Sequence, residues 1–244
     1  MLDKITLQAP AKINLFLRVL NKRDDGYHNI RSGITFINLY DVVNIKKSGV
    51  MSIKYYGDFM PSSSVYKDCI IAKTLKFLDL KVNLNISIKK NIPVQAGLGS
   101  ASTNAATLIK GLEKLKIIKS INDYKFYSSL GADIPAFLYG KNSFVQGMGE
   151  MITSHHFPKY FFLLVKPVIN FSTKKMYNKI NMKPKYEDNV KHYNNIINDE
   201  DCGNDFENIA IKESDQLNEL LKILSKSENC IFAQMTGSGS CCYG

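Results

Sequence analysis

The sequence predicts an α+β protein with two domains. Three observations carry that expectation. Residues 82–89, VNLNISIK, alternate apolar and polar side chains with the period of a half-buried strand. Ala101, Ala105, Leu108, Leu112 and Leu115 then recur at three- and four-residue steps, which marks a helix over about 101–116. After residue 155 a second set of mixed elements follows, so the chain divides into 1–155 and 156–244.

The elements follow in order. ITLQAPAKINLFLRVLN has strand-like spacing, with Pro10 as an early interruption, and NKRDDGYHNI is a turn in which Gly26 supplies a positive φ. SGITFINLYDVVNIKKSG returns to strand chemistry. Residues 66–79 place Ile71, Leu75 and Leu78 on one helical face. The 82–89 strand hands over through PVQAGLGSASTNAA to the 101–116 helix, whose start Ser100 or Ser102 is suited to cap. INDYKFYSSLGADIPAFLYG reads as a helix ending near Gly131 and a short one starting at Asp133. FFLLVKP (161–167) reads as a buried strand, and Ser172 or Thr173 as the cap of a helix through Ile180. The Asn-, Lys- and Asp-rich stretch 183–204 reads as a loop. Leu217, Leu220, Leu221 and Leu224 define a last amphipathic helix, followed by strand-like NCIFAQM and the loop TGSGS.

Composition narrows the class. A chain of 244 residues with 45% hydrophobic and 22% charged residues is an ordinary globular one. No apolar run approaches a membrane span, and the N-terminus lacks the pattern of a secretory signal, so a cytoplasmic enzyme with no membrane partner is expected. Cys69, Cys202, Cys230, Cys241 and Cys242 show no metal-ligand spacing and are expected as reduced thiols. The net charge is +10, yet only Arg18, Arg23 and Arg31 among the 32 basic residues are arginines. Arginine supplies the forked contacts that nucleic-acid readers favour, so no nucleic-acid partner is expected, although a basic RNA-binding module remains the rival from another class.

Four stretches can carry chemistry, each with a plain structural alternative. GLGSAS (97–102) before a helix is either a tight turn or a cradle whose backbone N–H groups hold a phosphate, with Ser100 and Ser102 as hydroxyls for phosphate or Mg²⁺. No Gly-Lys-Ser/Thr follows, so it is not the Walker loop. Asp133, the one acid in GADIPAFLYG, is either a helix cap or a group that accepts or orients a hydroxyl proton. Lys12, among apolar neighbours in APAKINLFL, either snorkels to solvent or stabilises a carboxylate and a transferring phosphoryl group. Tyr27 and His28 of DGYH are either loop residues or a pair that stacks on a base and reads its edge.

Taken together, PAKINLFL, DGYH, PVQAGLGSASTNAA, GADIPAFLYG, NDFE (204–207) and TGSGSC (236–241) resemble the GHMP small-molecule kinases, in that family's motif order and over nearly the whole chain. The resemblance implies an N-terminal domain like ribosomal protein S5, a C-terminal ferredoxin-like domain, and transfer of the γ-phosphoryl of ATP to an alcohol. AKINLFL…DGYH and GADIP set the chain beside members acting on a cytidine-diphosphate sugar alcohol and apart from mevalonate and homoserine kinases. It further implies Lys12 and Asp133 as the catalytic pair, with Asn14, Tyr27, His28 and Thr173 as substrate contacts. Pro93, Val94, Gln95, Ala96, Gly97, Leu98, Gly99, Ser100, Ala101, Ser102 and Thr103 are implied as the ATP triphosphate loop. Gly237, Ser238 and Gly239 are implied as a glycine loop closing the site. Mg²⁺ would come with ATP, held by phosphates and Ser100 or Ser102 rather than by protein ligands alone. Monomer and homodimer are both open.

Three departures stand out. Gln95, Ala96, Ser100 and Ala101 replace glycines of the related loop, so their backbone is expected in ordinary regions unless ATP binding is altered. The 183–204 stretch aligns with nothing. The sequence also stops at Gly244, where relatives continue for another strand and helix, which would leave a sheet edge open.

Overall fold

The structure, a computed structural model, describes residues 2–61, 69–120, 123–180 and 203–244. The stretch 183–204 lies outside them except for Gly203 and Asn204, as do Cys202 and residues 66–68 of the expected first helix. The architecture is α+β, as expected. Two compact units divide the chain at 11/12, 35/36, 94/95, 98/99 and 141/142 rather than at one point, because two long strands, β1 (Lys4–Lys22) and β2 (His28–Lys47), thread through both.

The first unit comprises residues 1–11, 36–94 and 99–141. Here β3 (Ser52–Tyr56) pairs parallel with β4 (Leu84–Lys89), which pairs antiparallel with β2 from Val42↔Lys89 to Lys47↔Leu84. Leu84, Ile86 and Ile88 point into the core as their alternation predicts, while Val82 lies outside the strand and is exposed. Against this sheet pack α1 (Ile70–Phe77), which buries Ile71 and Leu75, and α2 (Ser100–Lys114), which buries Ala105, Leu108 and Leu112. Ala101, expected on that face, is exposed. The unit closes with α3 (Tyr124–Ser128) and α4 (Ile134–Tyr139), which starts one residue after Asp133.

The second unit comprises residues 12–35, 95–98 and 142–244. The start of β2 pairs with β5 (Ser143–Gly147), which pairs with β6 (Met151–Ser154). A three-stranded sheet places β9 (Cys242–Tyr243) between β7 (Leu164–Val165) and β8 (Gln234–Met235). The helices α5 (Thr173–Lys179), α6 (Glu207–Glu213) and α7 (Asp215–Ser225) contribute Met176, Ala210, Leu217, Leu221 and Leu224 to a core shared with Leu17, Val19 and Phe206.

Several expectations are corrected. Pro10 does not interrupt β1, which runs on through it beside β2; a proline fits extended backbone wherever its missing N–H is not called for by a neighbouring strand. FFLLVKP is not a buried strand: only Leu163, Leu164 and Val165 pair, and Phe161 and Leu163 are exposed at the edge beside β9. An apolar run alone does not separate a central strand from an edge. NCIFAQM likewise forms only the two-residue β8, and Ile231 is exposed. Among the described residues no helix is long and apolar enough to cross a membrane.

Candidate active site

Lys12 and Asn14 stand two residues apart on β1, so they share one face of the strand. Both are buried, at 3% and 4% exposure. The Lys12 ammonium donates to Asn14 Oδ1, Asn14 Nδ2 donates to Ser32 Oγ at 2.7 Å, and that hydroxyl donates to the Phe16 carbonyl at 2.7 Å. Lys12 therefore does not snorkel to solvent. Its cation is aimed by an amide that is itself held from β2.

The backbone of this strand anchors two glycine loops within the same unit. Lys12 N–H donates to the Leu98 carbonyl at 3.2 Å, and Asn14 N–H to Thr236 Oγ1 at 2.9 Å. The loops also hold each other: Cys241 N–H donates to the Ala96 carbonyl at 3.2 Å, and a Cβ on Gly97 would lie 2.1 Å from the Thr236 carbonyl oxygen. Only glycine permits that approach. Burial pushes the Cys241 and Cys242 thiols beside this loop up to about 12, so neither offers a thiolate near neutral pH.

The loop 93–103 alternates handedness on its way into α2. Gln95 (φ 54°), Gly97 (φ 74°) and Gly99 (φ 72°) are left-handed. Ala96, Ser100 and Ala101 keep ordinary angles, as expected of residues that replace glycine, but Gln95 does not. The expected serine cap is corrected: Gly99 is the N-cap, because the turn needs a positive φ there, and no side chain caps the first turn. Those N–H groups and the positive helix end suit an anion. The Ser100 hydroxyl is occupied otherwise, accepting from the ammonium of Lys90, a buried residue that also pairs with the fully buried Asp41. Burial lowers the Lys90 pKa against the opposing pull of Asp41. Ser102 is half-buried, and Thr103 is buried with its hydroxyl unpaired. Pro93 is half-buried and Val94 exposed.

Asp133 sits at the N-cap position of α4, half-buried, with Pro135 in the first turn. Its side chain makes no capping bond. Lys12 belongs to the second unit and Asp133 to the first.

The remaining expected contacts lie in the second unit. Tyr27 projects from the turn with its ring 59% exposed. His28 stacks on Tyr177 of α5 (centroids 5.0 Å apart, planes at 22°), and Tyr177 rests edge-on against Phe206 at 4.8 Å. Burial, then the Lys22 charge, lowers the His28 pKa from 6.5, which favours the neutral ring. Thr173 Oγ1 and Ser238 Oγ are hydrogen-bonded at 2.8 Å, joining the start of α5 to the left-handed turn of Gly237 (φ 57°) and Gly239 (φ 86°). Sequence reasoning missed Ser32, Thr236, Tyr177 and the Lys90–Asp41 pair. Each acts through a partner far along the chain, which no local pattern announces.

The second unit thus has a buried cation on a strand and one glycine loop against another, and the first has a helix start suited to an anion and a carboxylate at the start of α4. Such parts suit transfer of a charged group by positioning and electrostatics. Comparison with known proteins gives the same direction. The GHMP kinases N terminal domain family matches residues 65–141. A 4-diphosphocytidyl-2-C-methyl-D-erythritol kinase of Francisella tularensis subsp. tularensis is 34% identical over 96% of this chain and 84% of its own length. One from Prochlorococcus marinus is 32% identical over 98% of this chain and 85% of its own. A crystal structure of 4-(cytidine 5'-diphospho)-2C-methyl-D-erythritol kinase shares the fold at a TM-score of 0.75 and 24% identity, covering 98% of this chain and 89% of that one. Homoserine kinase from Cytophaga hutchinsonii shares it at 0.57 and 13%, covering 100% and 85%.

Proposed function

The chain belongs to the 4-diphosphocytidyl-2-C-methyl-D-erythritol kinase family of the GHMP kinases, and from that membership we propose the reaction and its residues. The enzyme transfers the γ-phosphoryl group of ATP to the 2-hydroxyl of 4-diphosphocytidyl-2-C-methyl-D-erythritol. The products are the 2-phosphate and ADP, in the non-mevalonate route to isopentenyl diphosphate. It acts on a small molecule in the cytoplasm.

The strongest support in the structure is the pinning of the Lys12–Asn14 strand to both glycine loops within one compact unit. Phosphoryl transfer demands a positioned hydroxyl, a held triphosphate and compensation of developing charge. Asp133, at the start of α4, accepts the proton of the 2-hydroxyl or orients it. Lys12, its catalytic partner, supports that carboxylate and the charge on the transferring group. Asn14 contacts substrate and aims the Lys12 ammonium.

Residues 93–103 bind the ATP phosphates through the uncapped N–H groups that open α2. Mg²⁺, arriving with ATP, would be held with help from a loop hydroxyl and would supply charge neutralisation to the phosphates. Ser102 fits that role better than Ser100, whose hydroxyl already faces the Lys90 ammonium. Tyr27 and His28 take the cytosine, the exposed Tyr27 ring by stacking and the neutral His28 ring by hydrogen bonding. Thr173 and the 237–239 loop close over the substrate, linked through the Thr173–Ser238 hydrogen bond.

The test is substrate choice. The cytidine-diphosphate alcohol should be phosphorylated with competition by CDP, and mevalonate and homoserine should not turn over. Turnover of either alternative without CDP competition would reject the cytidine assignment. In addition, Tyr27→Ala should raise KM for the cytidine substrate well above any change in KM for ATP.

A further inference from the structure

The NDFE segment has no part in the chemistry above, yet it touches the backbone at the points where the 236–241 loop is set. Asn204 is buried, at 6% exposure. Its Nδ2 donates to two carbonyls, Met235 at 2.6 Å and Gly237 at 2.8 Å, the residues that flank Thr236. Its Oδ1 accepts from Phe206 N–H at 3.0 Å. Glu207 accepts from Met235 N–H at 2.7 Å, so the same turn of chain grips both polar groups of the Met235 backbone.

The other side of the segment is fastened to β1. Leu17 N–H donates to Gly203 O at 2.8 Å, and Asp205 N–H to Leu17 O at 2.9 Å. The Asp205 carboxylate accepts from Val19 N–H at 2.7 Å and from the Arg18 guanidinium at 2.8 Å. Residues 203–207 thus bridge the strand that carries Lys12 and Asn14 to the loop that meets Gly97.

A side-chain amide suits this junction for a chemical reason. One nitrogen offers two hydrogens to two carbonyls while the oxygen takes a backbone N–H, so both polar atoms of the buried Asn204 side chain are paired. Aspartate, of the same shape, would set an anionic oxygen against two carbonyl oxygens. An aliphatic residue would leave both unpaired in a buried place.

We infer that Asn204 is a positioning residue for phosphoryl transfer, fixing the Met235 and Gly237 carbonyls so that the Gly237–Gly239 turn keeps its shape against the phosphate loop. This rests on the assignment of both loops to the transfer site. Loop placement then enters the rate directly, since misplacement by about 1 Å can cost about 10²-fold.

The experiment compares Asn204→Asp, Gly237→Ala and the double variant, in kcat, in both KM values and in melting temperature, assayed well below every melting point. Gly237→Ala disturbs the same turn directly, because φ is 57° and a Cβ there would lie 2.8 Å from the Gly97 carbonyl oxygen. Each single change should lower kcat by about 10- to 100-fold. The double variant should fall less than about threefold below the worse single one, as for two changes to one element. Losses that multiply, or wild-type kcat in Asn204→Asp, would overturn the inference. Wild-type turnover in Gly237→Ala would instead remove the loop from the site, a failure of the underlying assignment. Should Asn204→Asp not fold, Glu207 carries the test: Glu207→Gln keeps an acceptor for Met235 N–H and should keep kcat, whereas Glu207→Ala should lose it. Equal kcat in those two variants would overturn the inference as well.

Discussion

Replacing Gly97 by alanine separates backbone strain from the close approach of the two glycine loops. At φ 74° an L-residue is strained by about 1–2 kcal/mol wherever it sits. At this position the new Cβ would also lie 2.1 Å from the Thr236 carbonyl oxygen, where side chains essentially never come within 3.0 Å, so a loop must shift by about 0.9 Å, the difference of the two. Gly140 provides the comparison. It has φ 70°, but its nearest neighbour is the Lys110 ammonium at 3.0 Å, bonded to the Phe137 carbonyl, so alanine there brings the strain with a far milder contact. Urea unfolding should show Gly140→Ala weaker by about 1–2 kcal/mol with its turnover kept. Gly97→Ala should lose at least as much stability and, in initial-rate assays, about 10²-fold in kcat/KM for ATP, equivalent to about 2.7 kcal/mol of transition-state stabilisation. If the two variants matched in kcat/KM, the loop contact would not govern ATP use.

Three further outcomes are expected. Lys12→Met and Asp133→Asn should each lower kcat by at least about 10²-fold in steady-state assays, and near-wild-type turnover would strip that residue of its role. Gln95→Gly should stabilise the protein by about 0.5–1 kcal/mol in urea titrations, because relief of a left-handed glutamine outweighs the added entropy of glycine in the unfolded chain; a loss of stability would show that the exposed glutamine makes a needed contact. His28 has a folded-state pKa below 6.5, so its contribution to stability is complete above 6.5 and is lost as pH falls through the lower folded value. His28→Gln should therefore flatten the acid side of the stability profile, and an unchanged slope would contradict the burial of that ring.

The elements most legible in the sequence were those with a strong local period. The β4 alternation and the α2 repeat determine which side chains face the core, and both lie where the pattern puts them apart from the exposed Val82 and Ala101. Legibility failed where the deciding partner is remote. Nothing near Pro10 says that β1 runs on through it, and nothing within FFLLVKP says that Phe161 faces solvent. The serine cap is misleading because Ser100 and Gly99 both satisfy local rules, and only the left-handed turn at Gly99 decides between them. Motif residues were legible as a set, since Lys12, Asn14, His28 and the loop glycines are distinctive types in a fixed order. Their supports, Ser32, Thr236 and Asn204, are ordinary polar residues whose meaning lies in hydrogen bonds across the fold.

Coupled measurement of ADP release from ATP and Mg²⁺, with and without 4-diphosphocytidyl-2-C-methyl-D-erythritol, reads the proposed reaction itself. The wild-type protein should release ADP in step with substrate and yield a product phosphorylated at the 2-hydroxyl, and Asp133→Asn should lose that substrate-dependent rate. ADP release that is absent, or indifferent to the cytidine substrate, would contradict the assignment.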